Sequence, residues 1–269
     1  MLRSINGASR RTQSVNAASS CPVTVLTDTG GYYGVIKAAT IYTKPISHET
    51  IDGHFCDVAV YVPSTAKSAT IDHSTIKNAV QVGVLVQQAT NVDLNHNTIS
   101  YIGNGYVDPA LYGDQFGLAV DFEYASGHLD HNVFSNYQKN GTDFYYSNVS
   151  FDHNVAYGTF GAPNLQSTGF DIIAQNGFEA DYSEITEDHN EAYGNQYFNP
   201  NDAGGYNRGA TGFLFAGVTT NGKPFTCADF KKDHDVAPSV PNPAIYNNPS
   251  TGNDIPFYAF PDYSYAGCP

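Results

Sequence analysis

One short phrase constrains the fold of this chain more than any other feature. It consists of an apolar residue, Asp or Asn, His, and Asn or Ser. Its copies are Ile71-Asp72-His73-Ser74, Leu94-Asn95-His96-Asn97, Leu129-Asp130-His131-Asn132, Phe151-Asp152-His153-Asn154 and, degraded, Glu187-Asp188-His189-Asn190. The histidines advance by 23, 35, 22 and 36 residues, so a period near 22 is interrupted twice by insertions. Short units at such a period are typical of a solenoid, in which each unit stacks on the preceding one.

The other half of the repeat is a short apolar strand that opens with glycine. Its copies begin at Gly83, Gly117, Gly141, Gly169 and Gly212, and Val58–Tyr61 fits without the glycine. No helical periodicity separates these strands, which leaves little room for βαβ units. The pattern therefore predicts an all-β fold, a single-stranded right-handed parallel β-helix of about six or seven coils with irregular caps. The residues predicted to stack inside it include Val84, Leu118, Phe170 and Phe213.

The same pattern divides the chain into one solenoid and its ends. Residues 21–217 are predicted to form the β-helix with its N-terminal cap, and residues 218–269, which are rich in proline, an irregular C-terminal cap. Residues 1–20 are rich in Ser, Asn and Arg and are expected to be a flexible segment. Neither a signal peptide nor an apolar run long enough for a membrane span is visible, so we expect no transmembrane helix.

Four cysteines lie at the two ends of the repeats, with no CxxC pair that would suggest zinc. Three pairings are possible, and the distance between coils favours Cys21 with Cys56 and Cys227 with Cys268. Four buried thiols are the alternative. Disulfides are typical of an oxidising compartment, so we expect a secreted or extracellular protein, or a periplasmic one.

The net charge excludes one class of partner. The chain carries 26 acidic and 12 basic residues and a net charge of −14. Such a field repels a nucleic-acid backbone. It also disfavours a strongly anionic polysaccharide unless cations bridge the protein and the substrate.

Three insertions enter the repeat at the same place, between the His-Asn turn and the glycine-led strand. They span residues 101–116, 158–168 and 195–211. We expect them to stack on one side of the solenoid and to wall a groove along one sheet, because inserted loops commonly carry function. The tyrosines predicted to contact a ligand there are Tyr106, Tyr112, Tyr145, Tyr197 and Tyr206.

Carboxylates are predicted to meet beneath these insertions. Strand alternation directs Asp143 and Asp171 outward on adjacent coils, with Asp121 diagonal to Asp143. Two carboxylates about 5 Å apart repel by ~3 kcal/mol at an effective dielectric constant near 20, so the group is expected to keep a proton, bind a cation or recruit a base. Lys139 and Arg208 are the nearby basic candidates. Solvated aspartates on a polar sheet face are the alternative.

Two further columns follow from the phrase itself. Asn97, Asn132, Asn154 and Asn190 are predicted to form an inward amide ladder at a turn. The adjacent histidines are predicted to form an outward column, either solvated or, alternatively, holding a metal. No Walker, GxGxxG, GxSxG or HExxH pattern is present, and no organic cofactor is expected.

Residues 50–217 resemble the pectate-lyase-like right-handed parallel β-helix superfamily. The phrase Asp-His-Asn-Val-Ala-Tyr-Gly at residues 152–158, followed by Thr168-Gly169-Phe170-Asp171, is similar to the repeats of secreted mannuronan C5-epimerases. In those enzymes a catalytic Tyr precedes Gly-Phe-Asp and Pro-His follows it. Here Thr168 and Ile172-Ile173 occupy those places, so only Asp171 corresponds.

The resemblance implies a polysaccharide bound along the groove. It implies a lyase in which Asp121, Asp143 and Asp171 hold calcium against a uronate and Lys139 or Arg208 abstracts a proton. A glycoside hydrolase with Asp143 and Asp171 as acid and nucleophile is the first alternative. A non-catalytic, adhesin-like solenoid that only binds glycan is the second.

Overall fold

The computed structural model describes part of the chain. The described residues are 21, 23–26, 34–104, 116–158, 172–173, 176–195, 197–198, 210–237, 253, 255–260 and 268.

The secondary structure of this part is almost entirely β. In chain order the elements are β1 (Val23–Leu26), β2 (Val35–Ile41), β3 (Ile46–Ser47), β4 (Thr50–Asp52), β5 (Val58–Val62), β6 (Ala69–Asp72), β7 (Thr75–Ala79), β8 (Val82–Gln87), β9 (Val92–Asn95), β10 (Thr98–Ile102), β11 (Leu118–Glu123), β12 (Ser126–Asp130), β13 (Val133–Tyr137), β14 (Asn140–Tyr145), β15 (Asn148–Asp152), β16 (Val155–Tyr157), β17 (Ile172–Ile173), β18 (Asn176–Asp181), β19 (Glu184–Asp188), β20 (Glu191–Tyr193), β21 (Tyr197–Phe198), β22 (Thr211–Ala216), β23 (Thr219–Thr220), β24 (Lys223–Pro224), α1 (Cys227–Lys232) and β25 (Ile255–Phe260). Among the described residues no helix is long and apolar enough to cross a membrane.

Three long sheets contain nearly all of these strands. Sheet A has the order β1-β2-β5-β8-β11-β14-β18-β22-β25, sheet B the order β24-β23-β19-β15-β12-β9-β6-β3, and sheet C the order β20-β16-β13-β10-β7-β4. The chain visits A, B and C in turn, and one such circuit is called a repeat below. Strands of successive repeats pair in parallel, and antiparallel pairing is seen at β1–β2, β17–β21 and β23–β24. This all-β, mostly parallel arrangement fits a β-helix.

Most corners between sheets A and B, and those between sheets B and C, turn at a residue with positive φ. Between sheets A and B this residue is, for example, Tyr124 or Tyr146, and between sheets B and C it is a histidine such as His131. The left-handed backbone region makes a sharp corner with a single residue, and histidine is among the residue types enriched there. The recurrence of His in the phrase therefore has a local conformational cause.

The interior between the sheets is filled by side chains stacked from repeat to repeat. Phe178 lies 4.9 Å from Phe213 and 5.4 Å from Phe151 between ring centroids, and all three are fully buried. Val84 belongs to the same core, so its predicted inward position is confirmed together with that of Phe213.

The predicted inward position of Leu118 is wrong. Leu118 is buried, but it belongs to a second cluster with Val82 and Leu85, while Ala119 and Val120 both join the main core. Strict alternation fails here because two consecutive residues of the strand contact the interior. Phe170 lies outside the described residues.

The described part of the strand predicted at Gly169–Ile173, Ile172–Ile173, does not join sheet A. Its place beside β14 is taken by β18, and Ile172–Ile173 instead pair with β21 in a two-stranded ribbon. The glycine at the matching position is Gly177, where a Cβ atom would lie 2.6 Å from the Gly212 carbonyl oxygen. Close approach of neighbouring backbones, which only glycine permits, therefore accounts for glycine near the start of this strand.

The predicted asparagine ladder is confirmed. Asn97, Asn132 and Asn154 are buried, and each donates its side-chain amide to the next carbonyl oxygen of the ladder, which ends at Asn190, at 2.9–3.1 Å.

The disulfides Cys21–Cys56 and Cys227–Cys268 are both present, with Cα separations of 5.6 and 5.4 Å. Beyond residue 217, β23 extends sheet B and β25 extends sheet A.

Candidate functional site

Five carboxylates lie side by side on the outer face of sheet A. Register pairs Asp121 with Asp143 and Asp143 with Glu179, which forms one column across β11, β14 and β18. In the next outward column, Glu123 of β11 and Asp181 of β18 flank Tyr145 of β14. These five carboxylates are called the acidic face below.

Their outward direction follows from the residues between them. In each of the three strands a core phenylalanine or alanine, such as Phe122, Phe144 or Ala180, separates the two outward positions. Neighbouring strands of a sheet lie about 4.8 Å apart, so carboxylates in register are one strand spacing from each other. At that distance each like-charge pair repels by ~3 kcal/mol at an effective dielectric constant near 20.

The fold does not require acidic residues at these positions. The column that contains Asp121, Asp143 and Glu179 begins with Ile41, Tyr61 and Leu85 and continues after Glu179 with Leu214. The same outward position therefore accepts apolar side chains in the repeats on either side. Acidic residues occupy only its three central repeats, which points to a role other than folding.

The acidic face is buried. The exposed fractions are 0% for Asp121, 1% for Glu123, 1% for Asp143, 7% for Glu179 and 5% for Asp181. Carboxylates are seldom buried to this extent unless hydrogen bonds or charges compensate them.

Amide donors supply part of that compensation. Asn176 donates its side-chain amide to Oε2 of Glu179 at 2.7 Å, and the side chain of Asn140 donates to the same oxygen. At the other end of the face, Gln87 donates to Oε2 of Glu123 at 2.7 Å. These bonds hold Glu179, next to Asp143, and Glu123, on the strand of Asp121, in fixed positions.

A buried lysine lies at the start of β14. The side chain of Lys139 is 7% exposed, and the residue precedes Asn140, whose amide reaches Glu179. Its backbone carbonyl accepts a hydrogen bond from the amide N–H of Asn176, at 3.1 Å. This bond fixes the backbone of Lys139 against the start of β18, the strand that carries Glu179.

Some of the other predicted site residues are described by the structure, and the rest are not. The sequence places Asp171 beside Asp143, but the register places Glu179 there, and Asp121 is in direct register with Asp143 instead of diagonal to it. Tyr145 lies on the acidic face as predicted. Tyr197 belongs to the ribbon strand β21. Asp171, Arg208, Tyr106, Tyr112 and Tyr206 lie outside the described residues.

Most of each predicted groove wall also lies outside the described residues. Each of the three segments 105–115, 159–171 and 199–209 lies within a connection from a strand of sheet C to the next strand of sheet A, and the last two connections also contain the ribbon strands β17 and β21. They therefore enter at equivalent points of the repeat.

No family model matches this chain, and no curated protein or solved structure matches it.

Three exposed tyrosines border the acidic face and escape the sequence prediction. Tyr124, Tyr146 and Tyr182 occupy the corner after β11, β14 and β18, and their rings stack at centroid distances of 5.5 and 5.1 Å. Tyr146 also contacts Tyr145 edge to face at 4.7 Å. The phrase of an apolar residue, any residue, Tyr, and Ala or Ser recurs with the strand period and is a usable sequence indicator. We call this group the tyrosine ladder.

A histidine column runs along the corner between sheets B and C. It contains the five predicted members, His73, His96, His131, His153 and His189, and is extended by His48 and His234. Successive rings stack at 4.6–5.0 Å. Burial alone would raise the pKa of Asp188. Hydrogen bonds from His189 and His234 outweigh it and lower that pKa below its usual value.

A buried acid pair lies at the C-terminal end of the asparagine ladder. Burial and the charge of Asp235 raise the pKa of Glu187 well above its usual value. Burial raises the pKa of Asp235 to about 6. Asn190 contacts both acids. Its backbone N–H donates to Asp235 at 3.0 Å, and its side-chain amide donates to Glu187 at 3.4 Å.

Proposed function

We propose that this protein is an extracellular carbohydrate-active enzyme that binds a polysaccharide at the exposed tyrosine border of the buried acidic face and cleaves it by β-elimination at a uronate. The scaffold would be a right-handed parallel β-helix of the pectate-lyase-like kind. The observation that carries the proposal is the register of Asp121, Asp143 and Glu179 on three adjacent strands, at positions that are apolar in the flanking repeats.

The donor set of the acidic face fits calcium. Its ligand atoms are carboxylate and amide oxygens, the hard donors that Ca²⁺ prefers. Asp121, Asp143 and Glu179 are the residues that would hold the ion, with Glu123 and Asp181 adjacent to them. When bound, calcium neutralises a uronate carboxylate and makes the neighbouring C–H more acidic. A bound cation would also reduce the repulsion between the protein, with its net charge of −14, and an anionic substrate.

The protein's own residues would orient the sugar and move the proton. Lys139, buried at the start of β14, is the base candidate among the described residues, and Arg208 is the second candidate. Tyr145 lies within the acidic face, between Glu123 and Asp181, and is a candidate to contact the substrate. The tyrosine ladder offers ring faces to sugars at the border of the same face.

A second candidate is a glycoside hydrolase. It is favoured by the one-strand separation of Asp121 and Asp143, because retaining glycosidases place their two carboxyl groups about 5–5.5 Å apart. In that case one carboxyl group would protonate the leaving oxygen and the other would attack the sugar.

A third candidate is a binding protein without catalysis. It is favoured by the exposure of Tyr124, Tyr146 and Tyr182, which can bind sugar without any carboxylate.

One set of assays separates the three candidates. The protein is incubated with polygalacturonate, alginate and a neutral xylan, with calcium or with a chelator, and products are followed by ultraviolet absorbance and by reducing ends. A lyase gives products with a new absorbing double bond, and the activity disappears with the chelator. A hydrolase gives reducing ends without the double bond and survives the chelator. Binding without turnover favours the third candidate, and neither binding nor turnover on any of these polysaccharides contradicts the proposal.

A further inference from the structure

The histidine column is more uniform than its structural role requires. All seven members occupy the left-handed region, with φ between 48° and 62°. Asn and Asp adopt that region as readily as His, so the conformation alone does not select His. Ring stacking does not select it either, because tyrosine provides stacking at the corner between sheets A and B. What imidazole adds is a nitrogen that binds metal ions.

One end of the column brings three ligand atoms together. The Nδ1 atom of His189 lies 2.8 Å from Oδ1 of Asp188, and the Nδ1 atom of His234 lies 3.3 Å from the same oxygen. The two rings stack at a centroid distance of 4.6 Å. All three ligand atoms lie within 4.8 Å of one another. Two imidazole nitrogens from different elements thus converge on one carboxylate oxygen.

The distances suit a first-row transition metal. Zn–N and Zn–O bonds of about 2.0–2.2 Å around a tetrahedral ion place neighbouring ligand atoms about 3.3 Å apart. The distance of 3.3 Å from Nδ1 of His234 to Oδ1 of Asp188 matches that value, and the corresponding distance of 2.8 Å from His189 is shorter. The side chains are half exposed, at 48% for Asp188, 48% for His189 and 64% for His234, so a small rotation could bring the two nitrogens together. Water can fill the remaining coordination position.

We propose that Asp188, His189 and His234 form a binding site for a divalent transition-metal ion of the zinc type. Two imidazoles and one carboxylate are the ligand set that zinc and nickel accept, whereas calcium and magnesium prefer oxygen ligands alone. This site is separate in chemistry and position from the acidic face, which lies on sheet A.

The charge around the site favours a cation. Asp233 precedes His234 and is 3.4 Å from the ammonium group of Lys232, which leaves Asp188 as the carboxylate shared by the two imidazoles.

The ion would connect two parts of the chain. His189 follows β19, whereas His234 follows α1, and the backbone N–H of His189 donates to the carbonyl oxygen of Asp233 at 2.8 Å. A metal held by both histidines would therefore stabilise the attachment of the α1 segment to the last repeats, because a ligand that binds only the folded state stabilises it.

A related group occurs further along the column. Oδ1 of Asp130 lies 2.6 Å from Nδ1 of His131, and the ring of His153 stacks on His131 at 4.7 Å. The Asp130, His131 and His153 group would add a second site of the same ligand types. The stoichiometry in the experiment below distinguishes the two.

The chain provides closely matched variants. His234→Asn and His48→Asn change the two ends of the column, and asparagine tolerates the left-handed backbone in both. His48 has Ser47 as its Nδ1 partner, not a carboxylate, and serves as the control. Asp188→Asn is a native arrangement elsewhere in the column, where Asn95 contacts Nδ1 of His96.

The test is calorimetric titration of the full chain, free of any histidine tag, with zinc chloride, together with thermal unfolding. Wild type and His48→Asn are expected to bind zinc with equal affinity and to unfold at a higher temperature with zinc present. His234→Asn and Asp188→Asn should each weaken binding at least tenfold or lower the stoichiometry by one, and lose the increase in unfolding temperature. Circular dichroism of each variant without zinc verifies that the fold is retained. Wild type that binds no zinc, or Asp188→Asn and His234→Asn variants that both bind it as wild type does, would overturn the proposal.

Discussion

Asp121 of β11 and Asp143 of β14 occupy directly paired positions of neighbouring parallel strands, and both side chains are buried. Glu179 continues the column on the next strand, while Leu85 and Leu214 occupy the same position on either side of the three acids. A buried run of acidic residues, at positions that the fold fills elsewhere with apolar residues, makes these acids the candidates for binding or chemistry.

The asparagine ladder should contribute strongly to stability. In Asn154→Ala, the backbone N–H and the side-chain amide of Asn132 lose their acceptor, and the carbonyl oxygen of Leu129 loses its donor. Each buried polar group left without a partner costs about 1–3 kcal/mol, so we expect a loss of at least about 3 kcal/mol in the free energy of unfolding. Urea denaturation measures it. Asn148→Ala, at an exposed position, should change stability by less than about 0.5 kcal/mol, and equal effects of the two substitutions would contradict the role of the ladder.

Part of the fold is predictable from the repeated phrase. The positions of Asn97, Asn132 and Asn154 one period apart imply the ladder, because identical amides stacked at strand spacing can bond to one another. The disulfides are predictable because a solenoid separates its two ends in space. In both cases the inference needs only the period and the direction of stacking.

The composition of the acidic face is not predictable in the same way, because it depends on strand register after an insertion. The glycine-led segments at Gly169 and Gly177 are both reasonable strand starts, and a wrong choice changes every residue that faces outward. The choice of Gly169 brings in Asp171 and omits Glu179 and Asp181. The interval of 36 residues from Asn140 to Asn176 equals that from Asn154 to Asn190, and this agreement identifies the correct strand.

Stability should depend on pH through the buried acid pair. Glu187 and Asp235 both have raised pKa values, with Asp235 at about 6, so the folded state holds more protons than the unfolded state between about pH 4 and 6. Their contribution is therefore fully present below about pH 4 and is lost as the pH rises through 6. We expect Glu187→Gln to unfold with a higher free energy than wild type at pH 8 and with a similar one at pH 4. Denaturation at both pH values provides the comparison, and a constant difference between the proteins would contradict the assignment.

Other carboxylates act in the opposite direction at lower pH. Burial alone would raise the pKa values of Asp52, Asp72 and Asp188. Hydrogen bonds and neighbouring histidines outweigh it and lower these pKa values. Stability from these groups is present above their unfolded pKa values and is lost as the pH falls below about 4. Glu187→Gln should leave this loss of stability below about pH 4 unchanged.

The tyrosine ladder should contribute to glycan affinity. Tyr146 is stacked between Tyr124 and Tyr182, and asparagine can adopt its positive φ, so Tyr146→Asn removes the ring without straining the corner. We expect the dissociation constant for a bound polysaccharide to rise about tenfold, which corresponds to about 1.4 kcal/mol. Affinity electrophoresis measures the change. Tyr157→Asn, at an exposed ring stacked on Tyr193 of sheet C, is the control, and an equal effect there would argue against a specific role of the ladder.

The acidic face is tested most directly by turnover of the double variant Asp121→Asn/Asp143→Asn on a polysaccharide that wild type cleaves. Asparagine keeps the size of each side chain and removes both charges. Asp93→Asn, on sheet B, is the matched control. The account predicts at least a 100-fold loss of turnover in the double variant, with an unchanged circular dichroism spectrum, and near wild-type turnover in the control. Full turnover in a folded double variant would contradict the assignment of the acidic face as the working site.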